Sequence, residues 1–245
     1  MDQQLRKRME QFVEENIVEF HRARAANLAN LKLGVLLKGK NPYLFRAKNY
    51  DSAPDLIRAL LDARLSSSEE GSFGMFMEDL AIFVAEQTGN GQKSGVTGVD
   101  IELTRNGVRY LIAVKSGKNW GNASQHAALK KNFETAVRVL RQSKRVGELQ
   151  PTLGICYGNF KTVHKAGHLH IGGQSFWDLL SGDAEFYTQI VVPLGHRAKE
   201  FNEVFEVEKA KTYNRMTTEF GVNYCTASGA IDWKKLVEFV SKNMA

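Results

Sequence analysis

A single dipeptide, Asn106-Gly107, sets the geometry of the middle of this chain. Asn-Gly suits a two-residue hairpin turn, because both turn positions need φ > 0. With Arg105 opposite Val108, Glu102 falls opposite Leu111, Asp100 opposite Ala113 and Gly98 opposite Lys115. Side chains point alternately to the two faces of a strand. One face then carries Val99, Ile101, Leu103, Val108, Tyr110, Ile112 and Val114. The other carries Asp100, Glu102, Thr104, Arg109, Leu111, Ala113 and Lys115. An acid and a lysine are thus held side by side on a platform backed by a buried face. That arrangement suits metal-dependent phosphodiester chemistry.

The rest of the composition bounds this reading. A chain of 245 residues, 43% hydrophobic, can bury an ordinary core as one domain or as one with an appendage. No run of about 18 apolar residues predicts a spanning helix, and the first eight residues lack the apolar stretch of a secretory signal. Cys156 and Cys225 make no disulfide framework, so a reducing, cytoplasmic setting is expected. The net charge of +6 permits a polyanionic partner without requiring one. Lys115, Lys118, Lys130, Lys131, Arg138, Arg141, Lys144 and Arg145 crowd the segment from the hairpin onward. They read either as a nucleic-acid edge or as a solvated helix face. No P-loop or dinucleotide fingerprint is present.

Along the chain, apolar spacing predicts a long helix over 5–31, with 32–37 extending or breaking it. Asn41-Pro42-Tyr43 marks a turn. A short helix from Ala53 or Pro54 to Leu65, with Asp51-Ser52 as cap, precedes a polar loop over 66–72 and a helix over 73–87. A short strand is expected around Gln92-Lys93. After the hairpin come a loop, a helix over 124–144, a strand over 152–157, a basic loop over 158–167 and a strand over 168–171. Helices are expected near 176–180, 184–192, 197–219 and 232–243. Strand–helix–strand after an antiparallel hairpin implies a mixed sheet with helices on both faces.

This order, with Asp100 at the head of one strand and Lys115 on the next, resembles the PD-(D/E)XK nuclease superfamily. The resemblance covers about 72–158. It implies a mixed α/β, restriction-endonuclease-like core of order αβββαβ, within a single nuclease domain over 1–245. On that scheme 1–65 is an N-terminal helical part, 72–158 the catalytic core and 159–245 a C-terminal strand and helices. The runs 40–49, 115–125 and 173–177 are similar to a group of bacterial type II restriction enzymes. By position the family aspartate is Asp100, the lysine is Lys115 and the middle residue of the triplet is Val114, whose main-chain carbonyl the resemblance makes a metal ligand. The triplet's acid is replaced by Ala113.

A second carboxylate is therefore sought. Glu102 shares the polar face of Asp100, and Glu78 lies on the preceding helix. Glu134 lies about 15 Å along the following helix at 1.5 Å per residue. Each has a plainer reading: Glu102 can pair with Arg109 across the hairpin, Glu78 can be solvated, and Asp100 with Lys115 can be a surface ion pair. His164, His168, His170 and Cys156 raise zinc, but without a standard ligand spacing. Lys118, Asn119, Trp120, Gln125, Lys161 and Lys165 are candidate DNA contacts, with Trp120 equally placed to anchor its loop.

The resemblance implies a type II restriction endonuclease that cuts double-stranded DNA with Mg²⁺, or Mn²⁺ in its place. It further implies a bacterial or archaeal cytoplasmic homodimer, with a cognate DNA methyltransferase acting on the same site. The alternatives are a repair or junction-resolving nuclease of the same fold, and a DNA-binding protein whose nuclease site has decayed, which Ala113 favours.

Overall fold

The Asn106-Gly107 turn adopts the left-handed geometry that its residues suit, with φ of 52° and 78°. The computed structural model describes residues 3–142 and 147–243. The hairpin it closes joins β2 (Ile101–Arg105) to β3 (Val108–Gly117), with Glu102 opposite Leu111 and Arg105 opposite Val108. The expected register is observed. Before it lie α1 (Gln3–Ala29), α2 (Leu33–Lys38), α3 (Pro42–Ala47), α4 (Ala53–Gln87) and β1 (Gly91–Lys93). After it come α5 (Ala123–Arg141), β4 (Glu148–Tyr157), β5 (Val163–Lys165) and β6 (His168–Gly172). The chain ends in α6 (Gln174–Ser181), α7 (Phe186–Gln189), α8 (Val191–Leu194), α9 (Ala198–Tyr224) and α10 (Trp233–Ser241).

The six strands form one mixed sheet in the order β1-β2-β3-β4-β6-β5. The pairs β3–β4 and β4–β6 are parallel and the others antiparallel. A parallel neighbour needs a crossover, and α5 supplies it between β3 and β4. The segment α4-β1-β2-β3-α5-β4 is the αβββαβ core. Leu129, Phe133 and Ala136 of α5 pack on Leu111, Ala113, Leu153 and Ile155. On the opposite face Phe176 of α6 lies against Gly154, where a Cβ would stand 2.4 Å from its ring. The sheet is covered on both sides, as expected.

The chain divides into two compact units, 1–17 with 73–196, and 18–72 with 197–245, the boundaries falling within α1 and α4. The first holds the sheet. The second is helical and has its own core, including Leu33, Leu36, Leu56, Ile57 and Phe220. Among the described residues no helix is long and apolar enough to cross a membrane.

Several boundaries differ from the sequence expectation. The polar stretch 66–72 is helical, inside the continuous α4. Ser67 and Ser72 hydroxyls donate back to the carbonyls of Ala63 and Ser68, so serine here follows the helix instead of breaking it. Asn41-Pro42 opens a helix: the Asn41 side chain accepts from the Tyr43 and Leu44 amides, and proline occupies the first turn. β4 begins at Glu148, before Pro151, because β3 pairs with it from Glu148, whereas β6 pairs with it only from Thr152 onward. Proline's missing donor is harmless on that unpaired side. The basic loop contains β5, closed on β6 by Ala166-Gly167 at positive φ. The helix expected over 184–192 is two short ones. Val99 packs with Leu111 and Ala113, on the face opposite to the one alternation predicts, because β2 starts only at Ile101. The end of the helix predicted over 124–144, and the positions of Lys144 and Arg145, lie outside the described residues.

Candidate active site

The site forms where the head of β2 meets the C-terminal end of β3. A tight turn before β2, closed by the Val99 amide donating to the Val96 carbonyl, delivers Asp100. Gly98 in this turn has φ 78° and lies against Asn132 of α5, with 2.2 Å between an added Cβ and Nδ2, so no side chain fits there. The Asp100 amide donates to the Ile112 carbonyl at 2.8 Å, and its carboxylate oxygen Oδ2 accepts from the Val114 amide at 2.7 Å. The carboxylate thus takes over as acceptor where the β2 ladder has run out, which fixes its position.

Lys115 lies next along β3. Its Nζ donates to the Val114 carbonyl at 2.6 Å and stands 3.9 Å from Asp100 Oδ2. The Trp120 ring faces the same ammonium, with its centroid 5.5 Å away. Trp120 also meets His126 edge-on at 4.9 Å and packs against the α5 cluster, so it anchors its loop as well.

Glu78 reaches this group from α4. Burial raises its pKa first, and the like charge of Asp100 raises it further, against the pull of Lys115. Two carboxylates close enough for the charge of one to act on the other, with the Val114 carbonyl beside Asp100, are hard oxygen donors of the kind Mg²⁺ takes. The donor chemistry therefore fits a divalent cation.

The raised pKa has a direct consequence for stability. An acid whose folded pKa lies above its unfolded value binds more protons in the native state, so stability falls as pH rises between the two values. Above that window the Glu78 charge opposes folding. Glu78→Gln is expected to melt at a higher temperature than wild type at neutral pH without metal, and the difference is expected to vanish in mild acid. Differential scanning fluorimetry across pH checks this; an unchanged or lower melting temperature at neutral pH removes Glu78 from the carboxylate pair.

Glu102 is placed differently. It is 7% exposed, ion-paired to Arg109, and accepts from the Ser94 hydroxyl at 2.9 Å. Glu134 is exposed on α5 beside Lys130 at 3.9 Å. It lines a cleft with Leu149, Pro151 and His168, at the opposite end of β4 from Cys156. Ala113, where a nuclease of this layout carries an acid, is buried beneath α5.

Among the other candidates, Lys118 and Asn119 are exposed in the loop after β3, and Lys161 and Lys165 are exposed beyond β4. The Lys118 stem lies beside Gly158, 3.2 Å from an added Cβ, so the β3 and β4 loops adjoin. Gln125 is committed elsewhere. Its side chain accepts from the Asn122 amide while Asn122 accepts from the Gln125 amide, a capping box that starts α5. The Asn-x-x-Gln spacing was the sequence signal for that role. Cys156 is buried, and burial together with the Glu78 charge pushes its thiol up to about 12, so it stays protonated. His164, His168 and His170 belong to no metal-binding group: among the described residues no three His, Cys, Asp or Glu side chains are placed to hold an ion. A cation beside Asp100 would draw on two carboxylates and a main-chain oxygen.

The sheet order, the crossover helix and the paired Asp100 and Lys115 at the strand ends define a restriction-endonuclease-like nuclease. The chain belongs to the type II restriction endonuclease EcoO109I family, whose model matches residues 7–202. No match to a curated protein is found. Family membership makes the chain a nuclease, a hydrolase acting on double-stranded DNA.

Proposed function

We propose that the protein is a Mg²⁺-dependent endodeoxyribonuclease that cuts double-stranded DNA at a specific sequence. The observation that carries this is Asp100 beside Lys115 at one strand end, with Glu78 near enough for both charges to act on it, a second carboxylate despite Ala113. Asp100, Glu78 and the Val114 carbonyl would hold the cation, with Mn²⁺ able to replace Mg²⁺. When bound, the metal supplies charge neutralisation at the phosphate and a more acidic attacking water. Asp100 fixes the geometry through its bond to the Val114 amide. Lys115 offsets negative charge at the phosphate and orients the water. A homodimer in a bacterial or archaeal cytoplasm, matched to a palindromic site and to a cognate DNA methyltransferase, fits this reading.

The decisive test is cleavage of a broad panel of unmethylated plasmid and phage DNA with Mg²⁺, comparing wild type with Asp100→Ala and Lys115→Ala. Discrete fragments from wild type alone support the proposal. A wild type that binds DNA and cuts none of the panel supports the second reading, a DNA-binding protein with a decayed site, which the buried Ala113 favours.

Lys118, Asn119, Lys161 and Lys165 are proposed DNA contacts around the adjoining β3 and β4 loops. Trp120 serves the lysine and its loop, and Gln125 serves the cap. The double variant Lys118→Ala, Lys161→Ala is expected to weaken binding similarly for all sequences. Each phosphate contact removed lowers the slope of log K against log salt by about 0.9. Fluorescence anisotropy over a salt series in Ca²⁺ reads the slope; an unchanged slope excludes both lysines from the phosphate backbone.

A further inference from the structure

The arrangement around Val114 carries an inference that rests on the proposed metal-dependent function and deepens it. The Lys115 ammonium already does what a metal would do there. It is the one cation at the Val114 carbonyl among the described residues, at 2.6 Å, and it also faces Asp100 Oδ2 at 3.9 Å. A divalent ion bound by Asp100 and that carbonyl would meet the ammonium on the same oxygen. Two cations sharing one carbonyl at contact distance repel strongly in a partly buried site. Lys115 and Asp100 side chains are only 27% and 23% exposed, so water screens the repulsion poorly.

The structure also supplies a place for the ammonium to go. The Trp120 face, 5.5 Å from Nζ, is within cation–π range now and is held by the α5 cluster and by His126. A lysine stem swings through its side-chain torsions at small cost, while the ring is fixed. We propose that the Lys115 ammonium and the divalent cation exclude one another at the Val114 carbonyl, so that metal binding moves Nζ from that oxygen onto the face of Trp120. Lys115 is then a resident cation that keeps the carboxylate site neutralised before metal arrives, and its release couples metal binding to freeing the lysine for phosphate.

Two measurements on the full chain without DNA test this, with Mg²⁺ alone as the probe. In calorimetric titration Lys115→Met is expected to bind Mg²⁺ about tenfold tighter than wild type, the scale of one charge-assisted hydrogen bond no longer broken. Asp100→Asn is expected to lose binding. Simple charge removal would also tighten binding in Lys115→Met, so the movement itself is read by NMR. With ¹³C-labelled lysine, the Lys115 ε-methylene resonance, identified by its loss in Lys115→Met, is expected to shift upfield on Mg²⁺ addition as it enters the ring current of Trp120. Trp120→Leu keeps the charge, and is expected to abolish that shift and to weaken Mg²⁺ binding several-fold. A Lys115 resonance that stays put while wild type binds Mg²⁺ overturns the exchange and leaves the metal-dependent function standing. No Mg²⁺ binding by wild type or by Lys115→Met also overturns the exchange, and the metal-dependent function is then decided by the cleavage panel alone.

Discussion

Asp100→Asn is expected to slow DNA cleavage about a thousandfold while leaving the fold intact, the larger end of the range for removing one preorganised electrostatic group. The reason lies in the two tasks of this carboxylate. Its Oδ2 accepts from the Val114 amide at 2.7 Å, and an asparagine oxygen can do the same. The turn before β2 and the register of the hairpin are therefore kept, and the melting temperature is expected to stay within about 3 °C of wild type. What asparagine cannot supply is the charge. Without it the proposed cation would lose its best-placed ligand, and Lys115 loses its partner at 3.9 Å. Single-turnover cleavage at saturating enzyme and Mg²⁺ reads the loss, with DNA binding measured separately in Ca²⁺. A variant that cuts within tenfold of wild type would show that Asp100 holds the strands together and nothing more.

How far the sequence carried this reading depended on which signals are local. The hairpin register was legible because Asn106-Gly107 dictates its own backbone, and every expected pair from Ile101–Ile112 to Arg105–Val108 is formed. The crossover helix and the mixed sheet followed from element order alone. What failed was reading across the ends of elements. Val99 sits one step outside β2, where alternation no longer governs side-chain direction. The serine-rich stretch 66–72 looked like a loop because serine competes for backbone hydrogen bonds, yet its hydroxyls return to the preceding turn and leave α4 unbroken. The candidate site shows the same limit. Alternation put Asp100 and Lys115 on one face of the hairpin, and their side chains stand 3.9 Å apart. The position of Glu78 depends on how α4 approaches the sheet, a tertiary fact that no spacing in the sequence encodes. The engagement of the Gln125 side chain in its own helix cap was available from the Asn122-x-x-Gln125 pattern.

Arg109→Ala is expected to destabilise the sheet unit by about 3 kcal/mol, because it strands a buried carboxylate. Glu102 is 7% exposed, and its two oxygens are shared between Ser94 and Arg109. Removing the guanidinium leaves a charge with one hydroxyl partner and little water. Arg109 itself is about one-third exposed, which holds the cost to the lower end of the range for breaking a buried pair. Glu102→Gln removes the charge and keeps an acceptor for Ser94, so it is expected to cost only about 1 kcal/mol. Arg109→Ala combined with Glu102→Gln is expected to recover most of the loss, since no charge then remains unpaired. Urea unfolding of the four proteins closes the cycle. The same Glu102→Gln protein decides which acid joins Asp100. A carboxylate spent on a structural ion pair has no catalytic charge to lose, so its cleavage rate is expected within tenfold of wild type. Glu78→Gln, which removes the carboxylate that Asp100 and Lys115 both feel, is expected to cut at least about a hundredfold more slowly. The reverse order of the two rates would move the proposed metal site from the side of α4 to the face of the hairpin.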